Sequence, residues 1–205
     1  MTVIASLQAA ADALDASVDE LTRLDAIAGD GDLGITAAKV AHAIREACGA
    51  DAGDAPTILG QCGRNIALTA ASSCGTLLAS AFLSASKAVG EGEARQQLAA
   101  GLDAAVEGVI KRGKAARGDR TLIDALGPAA DAARDGMTFG SWAAYLDGIA
   151  AATQAGMEAT KTMTPRIGRA RTQPARAEGN PDAGSALVTI ALTAALAAAA
   201  RDEAR

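Results

Sequence analysis

The segment "LTRLDAIAGDGDLGITAAK" (residues 21–39) brings Asp25, Asp30 and Asp32 together, with Gly29, Gly31 and Gly34 interleaved. Glycines let the backbone fold tightly enough to turn three carboxylates toward one point. Converging carboxylates repel unless a hard cation sits among them. Magnesium, which takes oxygen ligands and keeps water or phosphate in its shell, suits the set. The same residues also fit a plainer arrangement, in which Asp32 caps the next helix while Asp25 and Asp30 are solvated turn residues. Their spacing does not follow the calcium-loop ladder of oxygens that ends in glutamate.

A second candidate is "TAASSCGTLLAS" (69–80), where Ser72, Ser73, Cys74 and Gly75 precede a helix opening near Thr76. Hydroxyls and unpaired amides at the positive end of a helix dipole make an anion cradle. A close-packed junction of small residues is the alternative. The third is "TPRIGRARTQPARAEGNPDAG" (164–184), the longest stretch without helical spacing, carrying Arg166, Arg169, Arg171 and Arg176. An arginine such as Arg169 stabilises the charge on a phosphoryl group in transfer, or is simply solvated. Asp182 and Gly184 either cap the final helix or line the same pocket.

Other chemistries find no support. His42 is the only histidine and lies on a helix remote from these loops, so no Ser-His-Asp set forms. Cys48, Cys62 and Cys74 have neither zinc spacing nor a disulfide pattern, and Cys74 lacks a basic partner that would make it a nucleophile. The Walker and dinucleotide glycine fingerprints are absent.

The elements that hold these loops are helices. The chain has 205 residues, which fits a single domain over 1–205. Half of its residues are hydrophobic but only 2% are aromatic, so the core must consist of small aliphatic side chains at close range. Helical spacing recurs throughout and no alternating β-branched run appears. Val3, Leu7, Ala10, Ala11 and Leu14 mark one face of a helix over 2–16, and Ser17 with Glu20 predicts a capping box for a second, short one. After the aspartates, Ile35, Ala38, Val40, Ala41 and Ile44 predict an inward face. Helices are expected over 57–71, 75–89, 92–112 and from Trp142 to Thr162. "RGKAARGD" reads as a basic loop, and Pro128 predicts a kink or early break in the helix that follows it. The last helix begins near Gly184. The architecture expected is an all-α, up-and-down bundle or helical barrel.

A net charge of −5 argues against a nucleic-acid-binding surface. No basic leader precedes an apolar run at the N-terminus, which predicts a cytoplasmic protein. The stretch "GSALVTIALTAALAAAA" is alanine-rich and reads as a buried C-terminal helix rather than a membrane span.

Four segments, "LDAIAGDGDLG", "SSCGTLLASAF", "RGKAARGDRTLIDAL" and "RIGRARTQPARAEGNPDAGS", in this order, resemble the nucleotide-binding L-type subunit, or C-terminal domain, of the dihydroxyacetone kinases. The resemblance implies an antiparallel barrel of about eight helices, with ADP or ATP at one rim held through two magnesium ions. It implies Asp25, Asp30 and Asp32 as metal ligands and Arg169 beside the transferring phosphoryl group. It places Leu33, Gly34, Ile35, Thr36, Ser73, Cys74, Gly113, Leu122, Arg169, Asp182, Ala183 and Gly184 at the nucleotide. It further implies a glycerone-kinase-type phosphotransferase that needs a separate substrate-binding kinase subunit. Recharging of the nucleotide by a phosphotransferase-system donor, and a homodimeric form, are left open. This chain departs from the family at Leu33, where histidine is common, at Cys74 and Thr76, where serine and proline are common, and at Ala183, where proline is common. Loss of the histidine-type donor at Leu33 motivates an alternative: a nucleotide-sensing regulatory or interaction protein without kinase turnover.

Overall fold

The computed structural model describes residues 3–49, 53–138 and 140–203. Alanine loses no side-chain entropy in a helix, so in this chain helix ends are set by caps and breakers rather than by propensity. In order run α1 (Val3–Ala16), α2 (Val18–Ala28), α3 (Leu33–Ala47), α4 (Ala55–Thr69), α5 (Ser73–Ala88), α6 (Ala94–Gly113), α7 (Ile123–Asp135), α8 (Trp142–Ala159), the short α9 (Pro174–Ala177) and α10 (Ala183–Glu203). No strand occurs among the described residues. Asp54, Ser72 and Ser141 cap α4, α5 and α8, each side chain accepting from the amide three residues on. Ser17 does not form the expected capping box. Its side chain makes no cap bond to α2, while its amide donates to Leu14 O and continues the turn that ends α1.

Eight of these helices close a ring. α1 packs against α3 and α10, and between them the sequence-adjacent pairs α3/α4, α4/α5, α5/α6, α6/α7 and α7/α8 pack side by side, with α8 against α10. α2 lies outside this sequence of staves, chiefly against α3. Staves pack closely because the contacting side chains are small. Ala11, Ala37, Ala41, Ala43, Ala125, Ala129 and Ala133 are completely buried, with Leu14, Leu21, Ile44, Ile58, Ile66, Ile123 and Ile149 filling the larger gaps. Tyr145 is a large buried side chain with a polar end, and its hydroxyl donates to Ala133 O at 3.0 Å. Ala183–Arg201 is long and apolar enough by length and composition to cross a membrane, but here it packs between α1 and α8 as a stave.

Four expectations about elements are corrected. Ile35 is 59% exposed rather than inward, because α3 turns Leu33, Thr36, Ala37, Val40 and Ile44 to the core; Ala38 is half-buried. Of the kink or early break expected at Pro128, the break does not occur: it lies inside α7 without ending it. Proline leaves Asp124 O without its helical donor, and α8 packs onto the gap: a Cβ on Gly156 would stand 2.2 Å from that oxygen. The expected helix from Trp142 ends at Ala159 and tightens into a 3-10 turn over Thr160–Thr162. Residues 164–184 are not wholly irregular either, since they hold a 3-10 turn at Arg169–Thr172 and α9, which Pro174 starts.

Candidate metal and nucleotide site

The alternation of the ring sends α3, α5, α7 and α10 off from the same end of the barrel. Their starts line one cavity of about 920 Å³, through Asp32 and Leu33, Ser73 and Cys74, Leu122 and Ile123, and Ala183 and Gly184. Each start brings the positive end of a helix dipole, so four partial positive charges meet in one space. At α5 the geometry is tied down from across the ring: Ser72 Oγ accepts from Gly75 N at 3.0 Å and from the Thr36 hydroxyl at 3.0 Å. A cavity built this way attracts polyanions.

The three aspartates stand at its mouth. One carboxylate oxygen from each of Asp25, Asp30 and Asp32 lies within 4.8 Å of the others. Asp25, in the last turn of α2, accepts from Asp32 N at 3.0 Å, which folds the connection back on itself. That fold needs Gly31 at φ +74°, and it needs Gly29, whose Cβ would stand 2.2 Å from Asp25 Oδ1. The plainer role for Asp32 is not observed: it occupies the position before α3, yet its carboxylate accepts no helix amide. The oxygen set fits a hard divalent cation, and a cation already touches it, since the Arg169 guanidinium ion-pairs with Asp30.

Arg169 arrives on a loop fastened at its base by Arg120. This arginine is buried, in the left-handed region at φ +62°, and donates to Thr160 O at 3.0 Å and to Ala177 O and Asn180 O at 2.8 Å each. Burial pulls its pKa down while Asp182 opposes the fall. Asp119 and Asp124 brace the connection that carries Arg120: Asp119 accepts from Ala116 N, and Asp124 from Gly118 N and Thr121 N. Read as sequence, "RGKAARGD" is only a basic loop. The signal that could have singled out Arg120 is its place between two acidic residues in "GDRTLID".

Of the residues expected at the nucleotide, Leu33, Ser73, Cys74, Gly113, Leu122, Arg169, Asp182, Ala183 and Gly184 line the cavity together with Asp25, Asp30 and Asp32. Gly34, Ile35 and Thr36 do not. Gly34 seats α3 against α2, where a Cβ would lie 2.1 Å from Thr22 Oγ1; Ile35 faces out; and Thr36 is buried beneath Ser72. Asp182 combines both roles considered for it, lining the cavity while accepting from Ser185 N at 2.8 Å at the head of α10. Burial raises its carboxyl to about 6 against the Ser185 amide and Arg120, and nearby Asp124 adds to the rise. Burial likewise pushes the Cys74 thiol up to about 12, reinforced by Asp182, Asp25 and Asp32, so it stays protonated and is no nucleophile. His42 lies on the outer surface beside Glu46.

Ring and cavity define an all-helical barrel with an oxygen-ligand cluster and converging helix starts at one mouth. The chain belongs to the DAK2 domain family, which matches residues 27–197. It is 33% identical over 198 residues to a D-erythrulose kinase of Mycolicibacterium smegmatis, covering 92% of this chain and 33% of that protein. Among solved structures, the dihydroxyacetone kinase of C. freundii in its native form superposes with a TM-score of 0.75 at 25% identity over 94% of this chain and 33% of that one. The same kinase in complex with AMP-PNP and Mg2+ gives a TM-score of 0.73 at 26% identity, again over 94% of this chain and 33% of that one. The chain thus spans about a third of the length of the relatives it matches.

Proposed function

We propose that this chain is the ADP- or ATP-binding and magnesium-binding unit of a kinase for dihydroxyacetone or a related keto-sugar such as erythrulose, and that it delivers a phosphoryl group to a substrate held by a separate partner subunit. One observation carries the reading: three carboxylates converge at the mouth of a cavity onto which four helix starts open. Carboxylates alone suit a cation and helix starts alone suit an anion. Both together suit a metal-bound polyphosphate. The named activity of the erythrulose kinase and the AMP-PNP and Mg2+ of the solved relative support this assignment, and the third of their length spanned here leaves the rest of those proteins outside the matched region.

Asp25, Asp30 and Asp32 would hold magnesium, two ions in this proposal, which neutralises polyphosphate charge when bound. The first turn of α5, capped by Ser72, orients the phosphates through backbone amides. Leu33, Leu122 and Ile123 supply apolar wall on which a base can rest and exclude water from the inner cavity. Arg169, at the rim, can reach the equatorial oxygens of the group in transfer. The nucleophile is the hydroxyl of the partner-held sugar, so this chain contributes positioning and electrostatics rather than covalent chemistry. The test is calorimetry of ADP with magnesium: Asp30→Ala is expected to abolish magnesium-dependent binding, and wild-type affinity in that variant would overturn the assignment.

A further inference from the structure

The arginine loop is unevenly held. Its base is fixed three ways: by Arg120 on three carbonyls, by Gly179 N donating to Lys161 O at 3.0 Å, and by Asp182 N donating to the Thr160 hydroxyl at 2.8 Å. Its outer part, by contrast, meets the rest of the molecule through exposed groups. Arg166 bonds to Asp119 O through its amide, with its guanidinium 3.8 Å from the carboxylate, and Arg176 reaches Ala26 O at 3.4 Å. Arg169 pairs with Asp30, the two side chains being 56% and 43% exposed. Next to Arg169, Gly168 sits at φ +74°, a left-handed backbone state that favours glycine, with nothing within 4 Å of where a Cβ would stand.

From this geometry we infer that Arg169 is the internal counter-ion of the carboxylate cluster when no metal is bound, a latch that a divalent cation must displace. The inference rests on the metal reading above and deepens it. An exposed guanidinium–carboxylate pair is weak, whereas a divalent ion coordinated by three carboxylates is held by direct oxygen bonds, so the exchange runs toward metal. Displacement puts the Arg169 guanidinium free at the cavity rim, beside the place a polyphosphate would occupy, while Arg120 keeps the loop's ends where they were. Loading of the cation thereby readies the arginine, and the cluster is never left as three uncompensated charges.

The experiment needs neither nucleotide nor turnover. Mn2+ alone is titrated, by electron paramagnetic resonance, into the full-length wild type, Arg169→Gln and Arg169→Lys at low and high salt. Arg169→Gln is expected to bind Mn2+ roughly two- to fivefold tighter than wild type at low salt, the scale of an exposed ion pair. The gap should close as salt rises, and Arg169→Lys should stay near wild type. Limited trypsin digestion supplies a second readout: Mn2+ should speed cleavage after Arg166 and Arg171 in wild type, and in Arg169→Gln that cleavage should be fast with or without metal. Equal or weaker Mn2+ affinity in Arg169→Gln, no Mn2+ binding by it at all, or tryptic rates indifferent to metal would each overturn the latch. If Asp30→Ala nonetheless loses magnesium-dependent ADP binding, only the latch falls. If Asp30→Ala keeps that binding, the metal reading itself is wrong.

Discussion

Asp182 shows how one side chain can serve both fold and cavity. Its carboxylate caps α10 through Ser185 N, yet burial holds its pKa near 6, above the ordinary value of 3.8. Between about pH 4 and 6 the folded chain keeps a proton that the unfolded chain has released. Its contribution therefore favours folding at the acid end of that window and is lost as pH rises through about 6. Asn cannot ionise but retains an acceptor for the cap. Urea midpoints of Asp182→Asn should accordingly gain on wild type as pH goes from 4.5 to 7, and a constant difference across that range would refute the shift. Asp131 runs the opposite way: Arg117 on the α6–α7 connection, and then Arg134 a turn along α7, hold it down, so its support is lost only in acid.

Among the elements, the start of α5 depends most on the absence of a side chain. Gly75 receives the cap of Ser72, and a Cβ there would fall 2.0 Å from Ala70 O. No rotamer relieves such a clash with backbone, so the α4–α5 connection must open. Gly75→Ala is expected to cost about 3 kcal/mol in chemical denaturation, the upper range for overpacking. It should also weaken ADP binding at temperatures where the variant is still folded, because the amides of Ser73 and Cys74 move with the turn. A variant with wild-type midpoint and affinity would show that the connection tolerates the methyl group.

The ring as a whole is joined across its open end by Arg120, which links the α6–α7 connection to both ends of the arginine loop. Removing the guanidinium strands three carbonyls and leaves a gap among buried groups. Arg120→Gln should destabilise the protein by about 2–4 kcal/mol, the sum expected for unsatisfied carbonyls that water reaches only in part. It should also release the whole loop, bases included, to trypsin. That pattern differs from release of the tip alone, which digestion mapped by mass spectrometry distinguishes.

Much of this molecule is legible along the chain because the relevant physics is local. Helical spacing and the glycine-interleaved aspartates depend on neighbours within a turn or two, and they are enough to expect an all-α bundle or barrel and a carboxylate cluster. The misreadings have a physical cause as well. Ser17 with Glu20 has the letters of a capping box but α1 runs on into the turn, and Ile35 falls on an apolar period yet faces solvent because α1, α2 and α4 cover the other sides of α3. Arg120 was invisible as anything but loop charge, since its three acceptors lie 40, 57 and 60 residues away. Which cations and carbonyls meet is decided only when the staves close into a ring: contacts over such separations follow from the packing of whole helices, and no local pattern of residues encodes them.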